Sequence, residues 1–255
     1  MEKLDEVSAL IHKAKVAEQA EMHEMVISSV SASLKLGPAN SAQRGLLQTA
    51  YKNMVGKLRS SWRILLSQEK KHHDEEDEMR ERVSNEFRMK VEARIKDVCH
   101  RFLDVVESEL LPSLAHEADE EEKVREMVRL LKVKGDYLRY LAEITPNAEV
   151  DEVAEAAAQA YNAGLQISKA HLTPSSRESL GIVLNFSVFL HDVMNDRDAA
   201  LKVANEAFES AMEEIVESKE TRSEADGGLS DATLIMQMIR DNMDVWKKAG
   251  KKSGA

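Results

Sequence analysis

The chain has 255 residues, of which 46 are acidic and 35 basic, and its formal net charge of −11 excludes a general affinity for nucleic acid or anionic membrane. Its single cysteine, Cys99, excludes an intramolecular disulfide and a multi-cysteine zinc site. With no apolar leader-like segment at the start and no run near the ~18 apolar residues that cross a bilayer, the expectation is a soluble protein of a reducing, intracellular setting.

Only 4% of residues are aromatic and Gly is scarce, while Ala, Glu, Leu, Lys and Met dominate, which favours helix throughout. No stretch shows sustained period-two alternation between tight-turn residues, so the fold class is all-α. Pro38, Pro112, Pro146 and Pro174 stand between long amphipathic stretches as helix stops. The spacing predicts helices over 3–19, 22–35, 41–76, 80–110, 120–144, 149–169, 176–194, 198–217 and 229–248. Nine helices on short loops imply mostly antiparallel neighbours. One helical domain is expected over 1–248, followed by a short basic tail at 249–255. The charged run from Gln68 to Arg82 reads as a solvated helix end and turn, and Ser223 to Gly228 as the clearest flexible loop. No fixed repeat period is found.

In the third predicted helix, Lys52, Gly56, Arg59 and Arg63 recur at i, i+4, i+7 and i+11 and so share one face. The apolar phase, with Met54, Val55, Leu58, Trp62 and Leu65, is separate. A glycine inside a helix costs about 1 kcal/mol against alanine, and Gly56 clears bulk from the middle of the cationic stripe. In the fifth helix Lys132, Asp136, Arg139 and Glu143 repeat the spacing, with Tyr140 beside Arg139. Carboxylates three and four residues from Arg139 are placed to hold its rotamer. In the seventh, Gly181, Asn185, Val188 and Asp192 form a stripe in which an amide interrupts apolar residues. In the last, Ile235, Met238, Asn242 and Val245 do the same.

Each feature alone has an ordinary explanation. A cationic stripe is usually a solvated face, an asparagine on an apolar stripe usually a structural hydrogen-bonder, and Trp62 and Trp246 usually core. Together they are complementary. Guanidinium groups bind a phosphate dianion through paired hydrogen bonds, and a tyrosine hydroxyl adds another. A carboxamide donates and accepts, so it can pair with both groups of an extended peptide backbone.

KAKVAEQAE near the start, AYKN with RSSWR, KGDYLRYLAE, LNFSVF, and TLIMQMIRDN with Trp246 resemble, in order and in register, the signatures of the 14-3-3 family of phosphoserine- and phosphothreonine-binding adaptors. The resemblance spans almost the whole chain. It implies a nine-helix cup, usually dimeric, with an amphipathic groove for an extended phosphopeptide, and no catalysis or cofactor. By position, Lys52, Arg59 and Arg139 resemble the family's phosphate ligands and Tyr140 its hydroxyl donor. Asn185 and Asn242 resemble the backbone clamps, and Leu184, Val188, Met238, Val245 and Trp246 the apolar wall. Glu143 and Asp192 take further groove positions, Asp192 where glutamate is more usual. The implied partners are phosphorylated clients in the cytoplasm or also the nucleus, with no nucleic acid and no membrane.

The departures fall where the resemblance implies a dimer interface, formed by Val16, Ala20, Met22, Ser61, Phe87, Lys90 and Arg94. Met22, His23, Glu24 and Met25 replace an Arg-Tyr-Asp-Asp run, and Arg94 replaces a usual glutamate. The usual cross-dimer ion pairs are thereby lost, and methionines offer apolar contact instead. The homodimer or heterodimer is therefore expected to have an altered interface. Ser61 matches the serine whose phosphorylation opposes dimerisation in some members. The short basic tail stands where many members have a longer acidic one.

Two other classes compete. A helical scaffold with a general carboxylate clamp would bind acidic or amphipathic segments regardless of phosphate. A di-metal enzyme would use Glu69-x-x-His72, but that pair lies in a charged run, and its only echo is Asp97-x-x-His100. No Gly-rich phosphate loop supports nucleotide binding, and the histidines are scattered without nucleophile logic.

Overall fold

The computed structural model describes the backbone of residues 2–145, 150–219 and 228–252. Among these residues there is no strand, and nine long helices follow in chain order. These are α1 (Glu2–Gln19), α2 (His23–Leu34), α3 (Ser41–Asp74), α4 (Glu78–Val105), α5 (Glu120–Ile144), α6 (Val150–His171), α7 (Arg177–Asp192), α8 (Arg197–Lys219) and α9 (Gly228–Lys252). The predicted loop at Ser223 to Gly228 lies outside the described residues but for Gly228, which opens α9. Pro146 and the tail residues 253–255 also lie outside.

By internal packing the chain divides into two compact units, Met1–Glu117 and Ala118–Ala255. In the first, α1 to α4 bury a core around Val30, Leu47, Tyr51, Ile95 and Cys99. The Tyr51 and Phe102 rings stack at 4.6 Å, joining α3 to α4. The start of α3 is fixed reciprocally: Asn40 Oδ1 accepts from the Gln43 backbone at 3.0 Å, and Gln43 Oε1 accepts from the Asn40 backbone at 2.8 Å, satisfying two otherwise orphaned donors. One turn on, Arg44 is fully buried and reaches Ala39 O and Glu117.

Helix α4 does not stop at Pro112. It widens into a five-residue π-helical stretch, Val106–Leu110, continues through Leu111–Ser113 and closes as a 3-10 turn, Leu114–His116. Proline lacks the N–H that an interior position needs. The Leu111 N–H bonds Val106 O, five residues back, so the shift in hydrogen-bond spacing carries the chain past the proline without a sharp break.

The second unit, α5 to α9, packs around Val128, Tyr161, Leu180, Ile182, Phe186, Phe189, Ile239 and Trp246. Two glycines set the approach of α6. A Cβ on Gly135 would fall 2.7 Å from the Tyr161 ring, so only hydrogen fits at that crossing, and one on Gly164 would fall 2.4 Å from the Ile182 methyl, which would have to swing aside.

Candidate functional site

The cationic stripe of α3 is as its spacing predicts. Lys52 and Arg63 are exposed and Arg59 half-buried, while Val55 closes the core face behind them. A Cβ built on Gly56 meets no atom within 4 Å, so the middle of the stripe is open. Trp62 is half-buried beside the core, and its Nε1 donates to Glu92 Oε1 at 2.9 Å.

The charged run that follows is not wholly solvated. Glu69 accepts from Arg88 Nε at 2.5 Å and from Asn85 at 2.7 Å, and Arg88 NH1 continues to Glu92 at 2.6 Å. These partners come from α4, which turns a run of charge into a bridge between helices. Hydrogen bonding from Arg88 outweighs burial and holds the Glu69 carboxyl below its ordinary range. Glu69, the first residue of the metal-like pair, is thus held by an arginine.

In the second unit the centre is Asp136, 6% exposed. Lys132 Nζ donates to its Oδ2 at 2.8 Å, the Tyr161 hydroxyl to its Oδ1 at 2.6 Å, and Asn185 Nδ2 to both oxygens at 2.7 and 2.9 Å. Arg139 NH2 stands 3.7 Å from the same carboxylate. Burial pushes the Asp136 carboxyl up, but the Lys132 and Arg139 cations and the donated hydrogen bonds outweigh it and hold it below its ordinary value. Burial and the Asp136 charge push the Tyr161 hydroxyl well up, so it remains a donor.

Arg139 is braced on its other side by Glu143, whose Oε1 accepts from NH1 at 2.8 Å, and its guanidinium lies 4.7 Å from the Tyr140 ring centroid. Burial favours the neutral form, yet Tyr161 and Asp136 hold its pKa above the ordinary value. The expected rotamer lock by Asp136 and Glu143 is therefore present. Because Asn185 points its Nδ2 at Asp136, its Oδ1 is the acceptor left for another group.

Helices α7 and α9 meet through His191 and Trp246, whose rings stack at 4.8 Å and 15°. His191 Nδ1 is 2.6 Å from Asp192 Oδ1, and Asp192 itself is exposed. Asn242 is half-buried on α9, as are Leu184 and Val188 on α7. Met238 and Val245 are exposed at 47% and 64%, whereas Trp246 is a core residue at 5%. The residues of α5 and α7 are thus joined through Asp136, and those of α7 and α9 through the His191 stack.

Two participants were not singled out by their sequence pattern, Tyr161 and Gly135. A signal existed for the first. Tyr161 falls in helical phase with Ala154, Ala157 and Leu165, all buried, in a segment otherwise built of small residues.

The profile of the 14-3-3 protein family matches residues 13–247. The chain belongs to the 14-3-3 family. It is 38% identical over 248 residues to 14-3-3 protein 2 of Solanum lycopersicum, covering 96% of this chain and 92% of that one. It is 38% identical over 240 residues to 14-3-3 protein beta/alpha-B of Xenopus laevis, covering 94% and 92%. Against 14-3-3-like protein 2 of Caenorhabditis elegans it is 37% identical over 238 residues, covering 93% and 90%. Members of the 14-3-3 family are non-catalytic adaptor proteins. No described helix is long and apolar enough to cross a membrane.

Proposed function

We propose that this 14-3-3 chain binds phosphoserine and phosphothreonine motifs in client proteins and acts in signalling. The phosphate ligands are Lys52, Arg59, Arg139 and the Tyr140 hydroxyl. Asn185 and Asn242 hold the peptide backbone, and Leu184, Val188, Met238 and Val245 form the apolar side, to which the largely buried Trp246 adds only its small exposed part, with Glu143 and Asp192 at further peptide positions. The observation that carries the reading is the fixation of Arg139 between Glu143 and Asp136. A dianion gains most from cations that need no reordering when it arrives, because side-chain ordering is then not charged against binding. Asn185, oriented by the same carboxylate, offers its Oδ1 to a peptide N–H.

The chain works as a homodimer or heterodimer through Val16, Ala20, Met22, Ser61, Phe87, Lys90 and Arg94. Val16, Met22 and Phe87 are 52%, 49% and 55% exposed, a large apolar exposure for an unpaired surface. Lys90 Nζ lies 5.3 Å from the Phe87 ring centroid. Glu21, just before the altered run, and Glu24, the one acid within it, pair inside the chain with Lys57 at 3.2 Å and Arg101 at 3.0 Å. Apolar contact thus replaces cross-dimer charge. Its place of action is the cytoplasm, and also the nucleus.

Calorimetric titration with a phosphoserine peptide and its glutamate-substituted twin tests the reading against a general carboxylate clamp. Preference for the phosphopeptide by about tenfold or more is expected, since a phosphate offers a second charge and three acceptor oxygens. Equal affinities would favour the phosphate-indifferent scaffold.

A further inference from the structure

On the side of α7 away from Asn185 lies a cavity of about 480 Å³ within the second unit. Ser179 and Val183 are nearly half a helical turn from Asn185 and Val188, so the two sets occupy opposing faces. The cavity walls are apolar: Leu165 from α6, Leu172 from the connection, Val183 from α7, and Val203 and Ala207 from α8. The connection is fixed by Glu214 of α8, whose carboxylate accepts the Ser175 N–H at 2.7 Å.

The polar part of the lining includes Ser168 and Ser179, which belong to a chain of three serine hydroxyls. Ser168 Oγ and Ser176 Oγ each lie 2.7 Å from Ser179 Oγ and donate to it, and Ser168 and Ser179 are only 2% and 7% exposed. Three hydroxyls carry three protons, and two are used in these two bonds. However the chain of hydroxyls is oriented, one proton remains. With Ser168 and Ser176 donating, it is that of Ser179, a lining residue. Lys169 and Glu206, the charged lining residues, are both exposed and of opposite sign, so the lining carries no net formal charge and selects for no ion.

We propose that this cavity is a binding site for a small, uncharged, mostly apolar molecule bearing one hydrogen-bond-accepting carbonyl, such as a ketone, lactone or ester. Its size is that of ordinary ligand pockets, its walls take the apolar body, and the serine chain supplies the donor that fixes the carbonyl. The site shares no residue with the phosphopeptide reading and does not depend on it.

Methyl NMR of the full chain with 1-tetralone and with tetralin, the same skeleton without the carbonyl, tests this directly. Saturable shifts confined to Leu165, Leu172, Val183 and Val203 are expected, with the ketone bound about fivefold more tightly, the value of one net hydrogen bond. Ser179→Ala erases that preference while leaving tetralin binding in place, and Ala207→Phe abolishes both. If Ala207→Phe does not fold, the Ser179→Ala comparison decides alone. No saturable shift with either probe, shifts centred elsewhere, or equal affinities for ketone and hydrocarbon would overturn the proposal.

Discussion

The Tyr161 hydroxyl of α6 donates to Asp136 Oδ1 of α5 across 2.6 Å. That bond sits at the centre of a cluster in which one buried carboxylate also accepts from Lys132 and Asn185 and faces Arg139. Asp136 therefore orients both a cation and an amide of the proposed peptide site from beneath, without itself being exposed.

Tyr161→Phe removes one donor and leaves the ring. It is expected to lower stability by about 1–2 kcal/mol, read from urea unfolding. Asp136→Asn leaves Lys132 and Arg139 without their shared counter-charge and is expected to cost about 3–5 kcal/mol. Equal effects of the two substitutions would mean that the carboxylate is not the hub.

Arg59→Ala or Arg139→Ala is expected to weaken phosphopeptide binding by about 2–5 kcal/mol, because each removes one partner of a desolvated charge pair. Asn242→Ala costs about 1–3 kcal/mol by leaving peptide amides unsatisfied. Calorimetry on the three variants checks the ranking, and an Arg59→Ala protein that binds like the parent removes α3 from the phosphate site.

The Glu69 bridge to Arg88 makes stability depend on acid pH. Its carboxyl is held below the ordinary 4.5 in the folded chain, so its contribution is fully present above that value and is lost as pH falls through the lower folded pKa. Asp136, held below 3.8, acts in the same direction at lower pH. The urea midpoint should therefore fall on acidification below about pH 4.5, and Glu69→Gln should flatten the first part of that fall. Parallel curves for parent and variant would contradict the assignment.

Much of this was legible in the chain. The α3 stripe and the bracing of Arg139 are helix-periodic, so the spacing of Lys52, Arg59, Asp136 and Glu143 contains them. What was hidden depends on partners from other helices. Tyr161 lies 25 residues from Asp136, and nothing local marks Gly135 as the point where its ring crosses. Arg44, a cation in a polar first turn, gives no sign of being buried until Ala39 O and Glu117 enclose it. The run after Gln68 reads as solvated because composition alone cannot supply Arg88 as the partner of Glu69. At Pro112 the rule that proline ends a helix failed, since a π-helical stretch absorbed the missing donor.

Ser61 is exposed and its Oγ donates to Lys57 O at 3.1 Å. In a dimer that covers this surface, an anion at Ser61 adds desolvation and repulsion between copies. Ser61→Glu is expected to shift sedimentation toward monomer by at least about tenfold in dissociation constant, which is 1.4 kcal/mol. Sedimentation as tightly dimeric as the parent would remove Ser61 from the interface.

The measurement that reaches the central claim most directly is fluorescence anisotropy of a labelled Arg-Ser-x-pSer-x-Pro peptide and its unphosphorylated twin, titrated with the protein at fixed ionic strength. Tight, saturable binding of the phosphorylated peptide alone is the predicted result. Equal binding of the two peptides, or no binding of either, would contradict it and leave the 14-3-3 signatures of this chain without the phosphate-dependent function assigned to them.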